Sequence, residues 1–228
     1  MSHPPLTCSR RIGGVVVDVR CSTRSDGDFH LDHVPEVVLA HRRACLMAGT
    51  WSQPDEVHGA TVLTVEAPGD HHRAIADGLV TRVPGAVLGI WVGDCAPVVL
   101  MSDRGALAAV HAGWRGLAGG IIATAAERLA GRPVLAVLGP CIHPCCYEFG
   151  DELDDLSARW GAGVRATTSW GTPALDVPAA VRAEVSALGV AEVVQLGACT
   201  GCRADLFFSH RRRAELGRQV MSACLRTP

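Results

Sequence analysis

The stretch VLGIWVGDCAPVVLMSDRGALAAVHAG, residues 87–113, decides the fold. It contains three apolar runs, VLGIWVG, PVVLMSD and ALAAVHAG, each of strand length and parted by Asp, Pro or Gly, which punctuate strands rather than continue them. No helix-length segment separates them, so they predict neighbouring strands of one core sheet instead of strict β-α-β units. Polar residues sit at the ends of these runs: Cys95 lies just before one, and His111 lies near the close of another.

Working outward, GGVVVDVR (13–20) and TVLTVE (61–66) predict strands, and EVVLAHRRACLMAG (36–49) predicts a helix with one apolar face and Gly49 as its stop. On the other side, residues 116–131 form an Ala-rich helical segment, followed by the strand VLAVLG and the loop GPCIHPCCYEFG (139–150). The acidic run DELDD opens a further helix, where negative charge suits the N-terminal end of the dipole. Residues 178–188 predict a helix with Pro in its first turn and Gly189 at its end. EVVQLG and LFFSH predict late strands, and residues 213–225 a closing helix. No linker, repeat or low-complexity tract divides the chain. The expectation is one α+β domain over residues 1–228 with a mixed sheet.

Composition narrows the function classes. Apolar residues make up 48% of the 228 and aromatics 4%, so the core is built of Ala, Val and Leu, and the five Trp are worth locating. A net charge of −2 gives no electrostatic reason to expect nucleic acid or an anionic membrane as partner, with the run Arg211–Arg213 as one local basic exception. The start MSHPPLTCSRR lacks the apolar centre of a signal peptide, and no apolar stretch approaches the ~20 residues of a membrane span. A soluble, cytoplasmic protein is expected, with its oligomeric state left open. In a reducing compartment its ten cysteines are thiols or metal ligands more often than disulfides. Cys8, Cys21, Cys45 and Cys224 read as small buried residues.

His58 in EVHGA, Cys95 in VGDCAPVVL and His111 in AAVHAGWRG each stand at a strand end beside Gly or Pro, where a rigid scaffold presents side chains to a cleft. Two imidazoles and a thiolate suit zinc with an open fourth position, and they suit copper as well. The ligands are dispersed rather than set in a HExxH or paired CxxC motif, so a hydrogen-bonded core histidine at each position remains an alternative. A second alternative is a metal-free Cys95 nucleophile activated by a neighbouring histidine.

The words around these residues are more specific than their spacing. Through ADGLVT (76–81), GDCAPVVL (93–100), HAGWRG (111–116), GPCI, CYEFG (146–150), Cys199-Thr200 and FFSHRR (207–212), the chain resembles the YfiH-like purine nucleoside phosphorylase family, also described as polyphenol-oxidase, laccase-like proteins and as peptidoglycan editing factors. The resemblance runs from about residue 23 to residue 218. It implies a four-layer α-β-β-α fold similar to the cytotoxic necrotizing factor deamidase domain, and a zinc site carried by His58, Cys95 and His111. It also implies phosphorolysis of adenosine, inosine and methylthioadenosine, with adenosine deamination beside it. This chain has Glu56 where the family usually has Gln, Gly93 where it has Ala, and His41-Arg42 where it has Asn-Arg.

Phosphate as a co-substrate needs guanidinium groups to hold it bidentately, and Arg42, Arg115, Arg211 and Arg212 are candidates, with Arg115 and Arg211 preferred because they lie in motifs. Asp77 and Asp94 are candidates to orient the imidazoles; a cap or turn role is the alternative. Glu148 is a candidate contact for a purine edge or ribose hydroxyl. His71, His72 and His143 read as solvated loop residues. Cys141, Cys145, Cys146 and the CTGC pair Cys199 and Cys202 have some spacing of a structural zinc site, but Cys145 and Cys202 fall on no family word, so a second metal is not expected. No dinucleotide or ATP motif is present. Rival functions are amide hydrolysis on a peptidoglycan precursor by the same Cys and His, and copper-dependent phenol oxidation. The latter calls for more histidines than one three-ligand site supplies.

Overall fold

The computed structural model describes residues 6–12 and 14–227. Gly13, the first residue of the strand predicted over 13–20, and residues 1–5 and 228 of the predicted domain lie outside the described residues. In chain order the elements are β1 (Leu6–Ile12), β2 (Val15–Cys21), α1 (Glu36–Leu46), β3 (Thr50–Ser52), β4 (Val62–Val65), β5 (Gly78–Thr81), β6 (Ala86–Val92), β7 (Ala96–Ser102) and β8 (Leu107–Ala112). There follow α2 (Trp114–Ala118), α3 (Ile121–Arg128), β9 (Pro133–Leu138), α4 (Leu153–Trp160), β10 (Arg165–Thr167), β11 (Pro173–Leu175), α5 (Val177–Ala187), β12 (Glu192–Gln195), α6 (His210–Arg213) and β13 (Gln219–Arg226).

Two mixed sheets stack. One runs β1-β2-β13-β6-β3, the other β12-β9-β7-β8-β5-β4, and β10-β11 form a small ribbon. Period-2 alternation explains the layering. Val17 and Val19 of β2, Leu88 and Ile90 of β6 and Met221 of β13 point inward to meet Val99, Leu107, Ala109 and Val137 of the other sheet. The opposite faces are covered separately. Val98, Val110 and Leu138 pack under Ile121, Ile122, Leu156 and Val181 of α3, α4 and α5, while Val87 and Val220 pack under Leu39 and Leu46 of α1. The order is therefore α-β-β-α, a single α/β domain of the kind the sequence resemblance implies.

Four expectations need correction. The three runs of residues 87–113 do not share a sheet: β6 belongs to the five-stranded sheet, and β7 and β8 to the six-stranded one. The chain crosses between layers at Gly93-Asp94-Cys95, where Asp94 takes a left-handed φ of 105°. Residues 213–225, expected to close the chain as a helix, instead form β13, the strand hydrogen-bonded to both β2 and β6. A strand covered on both faces has a continuous apolar pattern, which is also what a buried helix shows. LFFSH is not a strand; Phe207 fills a core position and Ser209 caps α6, its Oγ accepting from Arg212 N. The Ala-rich segment 116–131 is two helices, broken at Gly119-Gly120, where Gly120 has φ 83°.

Smaller differences follow local packing. α1 ends at Leu46, ahead of Gly49, because Met47 turns into the core in an extended conformation and its carbonyl accepts the Trp51 indole N–H at 3.0 Å. α5 forms as expected, with Asp176 Oδ1 accepting from Ala179 N at 2.8 Å and Pro178 in its first turn. Of the four cysteines read as buried, Cys8, Cys21 and Cys224 are, but Cys45 is exposed on α1. Among the described residues no helix is long and apolar enough to cross a membrane.

Candidate functional site

Strand register brings the candidate ligands together. Pairing of β7 with β8 sets Pro97 against His111 and Ala96 against Ala112, so Cys95 falls at the edge where β8 ends. Pairing of β5 with β8 sets Gly78 against Val110, and the next residue back, Asp77, accepts His111 N on its carbonyl at 2.7 Å. His58 lies in the connection between β3 and β4 with a left-handed φ of 62°. The donor atoms of His58, Cys95 and His111 lie within 4.8 Å of one another. Gly113 lies close against them: a Cβ there would stand 3.0 Å from His58 Cδ2 and 3.1 Å from Cys95 Sγ, so a side chain at this position would press on both donors.

Asp77, fully buried, holds two of the three in place. Its Oδ1 accepts from His58 N at 2.8 Å and pairs with His111 Nδ1 at 2.9 Å, and its Oδ2 accepts from Gly59 N at 2.7 Å. A carboxylate at Nδ1 sets the tautomer that leaves Nε2 for a ligand. Burial by itself would raise the Asp77 carboxyl, but the His111 hydrogen bond, the backbone donors and the imidazole charge outweigh it and hold it below the ordinary carboxylate value.

The electrostatics of the metal-free set favour charge separation. Burial pushes the Cys95 thiol up, but the charge of His111 and hydrogen bonds from both imidazoles bring it down to about 6. Burial alone would depress His111, yet Glu56, Cys95 and Asp77 together raise it well above the ordinary histidine value. Glu56, with a side chain 5% exposed, has Oε2 3.9 Å from His111 Nδ1 and Oε1 accepting from Trp91 N at 2.9 Å. Desolvation lifts its carboxyl to about 8 against the pull of His111. Two imidazoles and a low-pKa thiol, aimed together with a fixed tautomer, form a donor set that fits a zinc or copper ion and leaves a side open to the cavity.

That cavity has a volume of about 370 Å³ and is lined by His58, Cys95, His111, Glu56, Trp91, Trp114, Tyr147, Arg115, Arg211 and Arg218. The Arg115 guanidinium lies 4.5 Å over the Trp114 ring and that of Arg211 4.9 Å over the Tyr147 ring. Burial pushes the Tyr147 phenol up to about 12, keeping it neutral.

The remaining candidates are distributed as follows. Arg42 is not among the residues lining this cavity; its Nη1 donates to Asp28 O at 2.5 Å and its guanidinium packs on Gly27. Arg212 lies over Trp170 beside a second, more open cavity that Glu148 also lines. Asp94 lines the main cavity, but its carboxylate accepts from Thr200 Oγ1 at 2.5 Å and from Arg211 N at 2.7 Å. It therefore anchors the start of α6, which carries Arg211, and its carboxylate hydrogen-bonds to no imidazole among the described residues. The sequence reading missed Glu56, Trp91, Trp114, Tyr147 and Arg218 as site residues. For Glu56 a signal existed, an acid two residues before His58 at a position where the sequence departs from the family word it resembles.

The sequence profile of a family described as multi-copper polyphenol oxidoreductase laccase matches residues 6–226. A purine nucleoside phosphorylase of Streptomyces coelicolor is 39% identical over 171 residues, covering 72% of this chain and 70% of that protein. One of Mycobacterium tuberculosis is 35% identical over 232 residues, covering 90% and 92%. The purine nucleoside phosphorylase YfiH of Shigella flexneri is 32% identical over 221 residues, covering 93% and 90%. Among solved structures, YlmD from Geobacillus stearothermophilus superposes with a TM-score of 0.76 at 27% identity over 94% of this chain and 93% of that one. The Bacillus licheniformis protein YfiH gives 0.80 at 24% identity over 95% and 98%, a likeness of fold.

Proposed function

The chain belongs to the family described as multi-copper polyphenol oxidoreductase laccase, and from that premise we propose that it is a zinc-dependent purine nucleoside phosphorylase acting on adenosine, inosine and methylthioadenosine. One observation carries the reading: the His58–Cys95–His111 donor set and the guanidinium groups of Arg115 and Arg211 face a single aromatic-lined cavity. Its volume of about 370 Å³ lies in the range of small-molecule sites. The names carried by the relatives in Streptomyces, Mycobacterium and Shigella support the same class of reaction.

In this reading Arg115 and Arg211 bind phosphate and aim one oxygen at the anomeric carbon, while Trp91 and Trp114 offer flat apolar faces to the purine. A carbon–oxygen bond to phosphate forms as the bond from the anomeric carbon to the base nitrogen breaks. The electron pair leaves with the base, and Glu56, whose carboxyl is raised by burial to about 8 in the metal-free site, is the group that donates a proton to it. When bound by His58, Cys95 and His111, zinc supplies a Lewis acid that stabilises negative charge developing on the substrate. Adenosine deamination would be an accompanying activity of the same cavity, with His58, Cys95 and His111 holding the ion whose Lewis acidity it would need.

The depressed Cys95 thiol favours one second reading, a metal-free cysteine hydrolase acting on an amide such as that of a peptidoglycan precursor. Incubation with adenosine, with and without phosphate, separates the two. Phosphorolysis yields adenine and ribose 1-phosphate only when phosphate is present. Absence of free base under both conditions, with hydrolysis of a muramyl peptide amide, would move the assignment to the hydrolase.

A further inference from the structure

Away from the His58–Cys95–His111 set, the fold gathers four more sulfurs from two distant segments. Cys145 and Cys146 lie in a single 3-10 turn, Pro144–Cys146, and Cys199 and Cys202 bracket the CTGC loop. Their four Sγ atoms all lie within 4.8 Å of one another, with Cys146–Cys202 at 3.3 Å and Cys145–Cys202 at 3.4 Å. A tetrahedron of zinc–sulfur bonds near 2.3 Å needs sulfurs about 3.8 Å apart, inside the observed spread. A disulfide needs its sulfurs at about 2.05 Å, well short of any of these separations.

Packing accounts for only part of the cluster: Cys146 and Cys199 belong to the helix-covered core and Cys145 packs against it, but Cys202 is exposed and fills no core position. The backbone is shaped around the sulfurs: His143 N donates to Cys199 Sγ at 3.3 Å, and a Cβ on Gly201 would stand 2.7 Å from Cys146 Cβ and 2.9 Å from its Sγ. Only glycine lets the CTGC loop close this far over the turn. Positive charge lies beside it as well, since the Arg212 side chain packs against Gly201, while Arg213, itself paired with Glu215, donates to the carbonyls of Gly201 and Thr200. Such charge offsets the excess negative charge of a divalent ion with four thiolates.

We propose that Cys145, Cys146, Cys199 and Cys202 form a second, structural metal site that takes zinc, or another soft divalent ion, in an all-sulfur tetrahedron. The site clamps the CTGC loop to the turn that precedes Tyr147, behind the wall of the cavity that Tyr147 and Arg211 line. The turn at Pro144–Cys146 leads directly into Tyr147, the CTGC loop hands Thr200 to Asp94, and the same Asp94 holds the Arg211 backbone. Binding there fixes the Tyr147–Arg211 pair at its separation of 4.9 Å. The sequence reading set this site aside because Cys145 and Cys202 fall on no family word, and their convergence exists only in the folded chain.

The test is metal content and zinc K-edge X-ray absorption on protein purified under reducing conditions with zinc in the growth medium. The Cys95→Ser variant isolates the second site. It should retain one zinc per chain with a sulfur-only shell at about 2.3 Å, and adding Cys199→Ser and Cys202→Ser should remove it. Unaltered protein guards against a variant that fails to fold: with both sites filled it should carry two zincs averaging about 2.5 sulfurs each. One zinc with four sulfurs would keep this site and remove the His-Cys-His one. One zinc with a single sulfur, or an intact mass lower by two hydrogens with Cys202 in a disulfide, would overturn the proposal.

Discussion

Replacing Asp77 with asparagine tests whether one buried carboxylate organises the candidate centre. Its two oxygens accept from His58 N, Gly59 N and His111 Nδ1, all within 2.9 Å. An amide has one acceptor oxygen. With that oxygen toward His58 and His111, the amide nitrogen faces Gly59 N–H; turned the other way, it faces both remaining donors. Either orientation loses at least one hydrogen bond to a charged group and confronts donor with donor, a cost of about 2–4 kcal/mol. Loss of the carboxylate also releases the His111 tautomer, which lowers metal affinity by roughly 10- to 100-fold. Urea unfolding gives the first quantity and chelator competition gives the second. An Asp77→Asn protein with unchanged midpoint and metal affinity within about twofold of the parent would refute the role assigned to Asp77, since the bonds it removes could then not be organising the site.

Cys95→Ser should lose the ion at the His-Cys-His site, because a hydroxyl is a far poorer ligand than a thiolate; metal analysis that finds this site still filled removes Cys95 from the ligand set. In metal-stripped protein Cys95 should alkylate with iodoacetamide down to about pH 6, three pH units below the ordinary thiol range of about 9, and mapping of the Cys95 peptide checks this. Arg211→Ala should raise the KM for phosphate about tenfold or more with little change in that for nucleoside, as loss of an anion-binding guanidinium predicts. An equal rise in both would assign Arg211 to structure. For Glu56 the folded carboxyl titrates at about 8 against an ordinary value of 4.5, so between those values the folded state binds the extra proton. Stability is then full below about pH 4.5 and falls as pH rises through 8. Glu56→Gln should flatten that fall in metal-free protein while slowing turnover at neutral pH. A thermal melt series in which both proteins lose stability alike between pH 5 and 9 would contradict it.

Many of the strands and helices were legible because strand-length apolar runs and glycine or proline breaks are local signals, whereas the layered arrangement came from the family resemblance. The assignment of strands to sheets was not legible. Nothing in the word GDC says that the chain leaves one sheet at Val92 and enters the other at Ala96, since that depends on the Asp94 turn and on what packs against each face. β13 was misread for a related reason: all but one of its eight residues are buried, and a central strand covered on both sides loses the alternation that separates strand from helix. At the site, the three donors could be named because each stands beside Gly or Pro in a distinctive word. Glu56 and Asp94 were harder to assign. Their roles follow from contacts with Trp91, Thr200 and Arg211, residues 35 to 117 positions away along the chain. The cysteine cluster illustrates the same limit, as Cys145 and Cys202 meet across 57 residues.

Phosphorus-31 NMR of the zinc-loaded protein with inosine and inorganic phosphate tests the central claim most directly. The account predicts that the phosphate resonance falls while a sugar 1-phosphate resonance grows in equal amount with free hypoxanthine, and that Cys95→Ser abolishes both changes. Release of hypoxanthine with the phosphate resonance unchanged, or full turnover by Cys95→Ser, would contradict it.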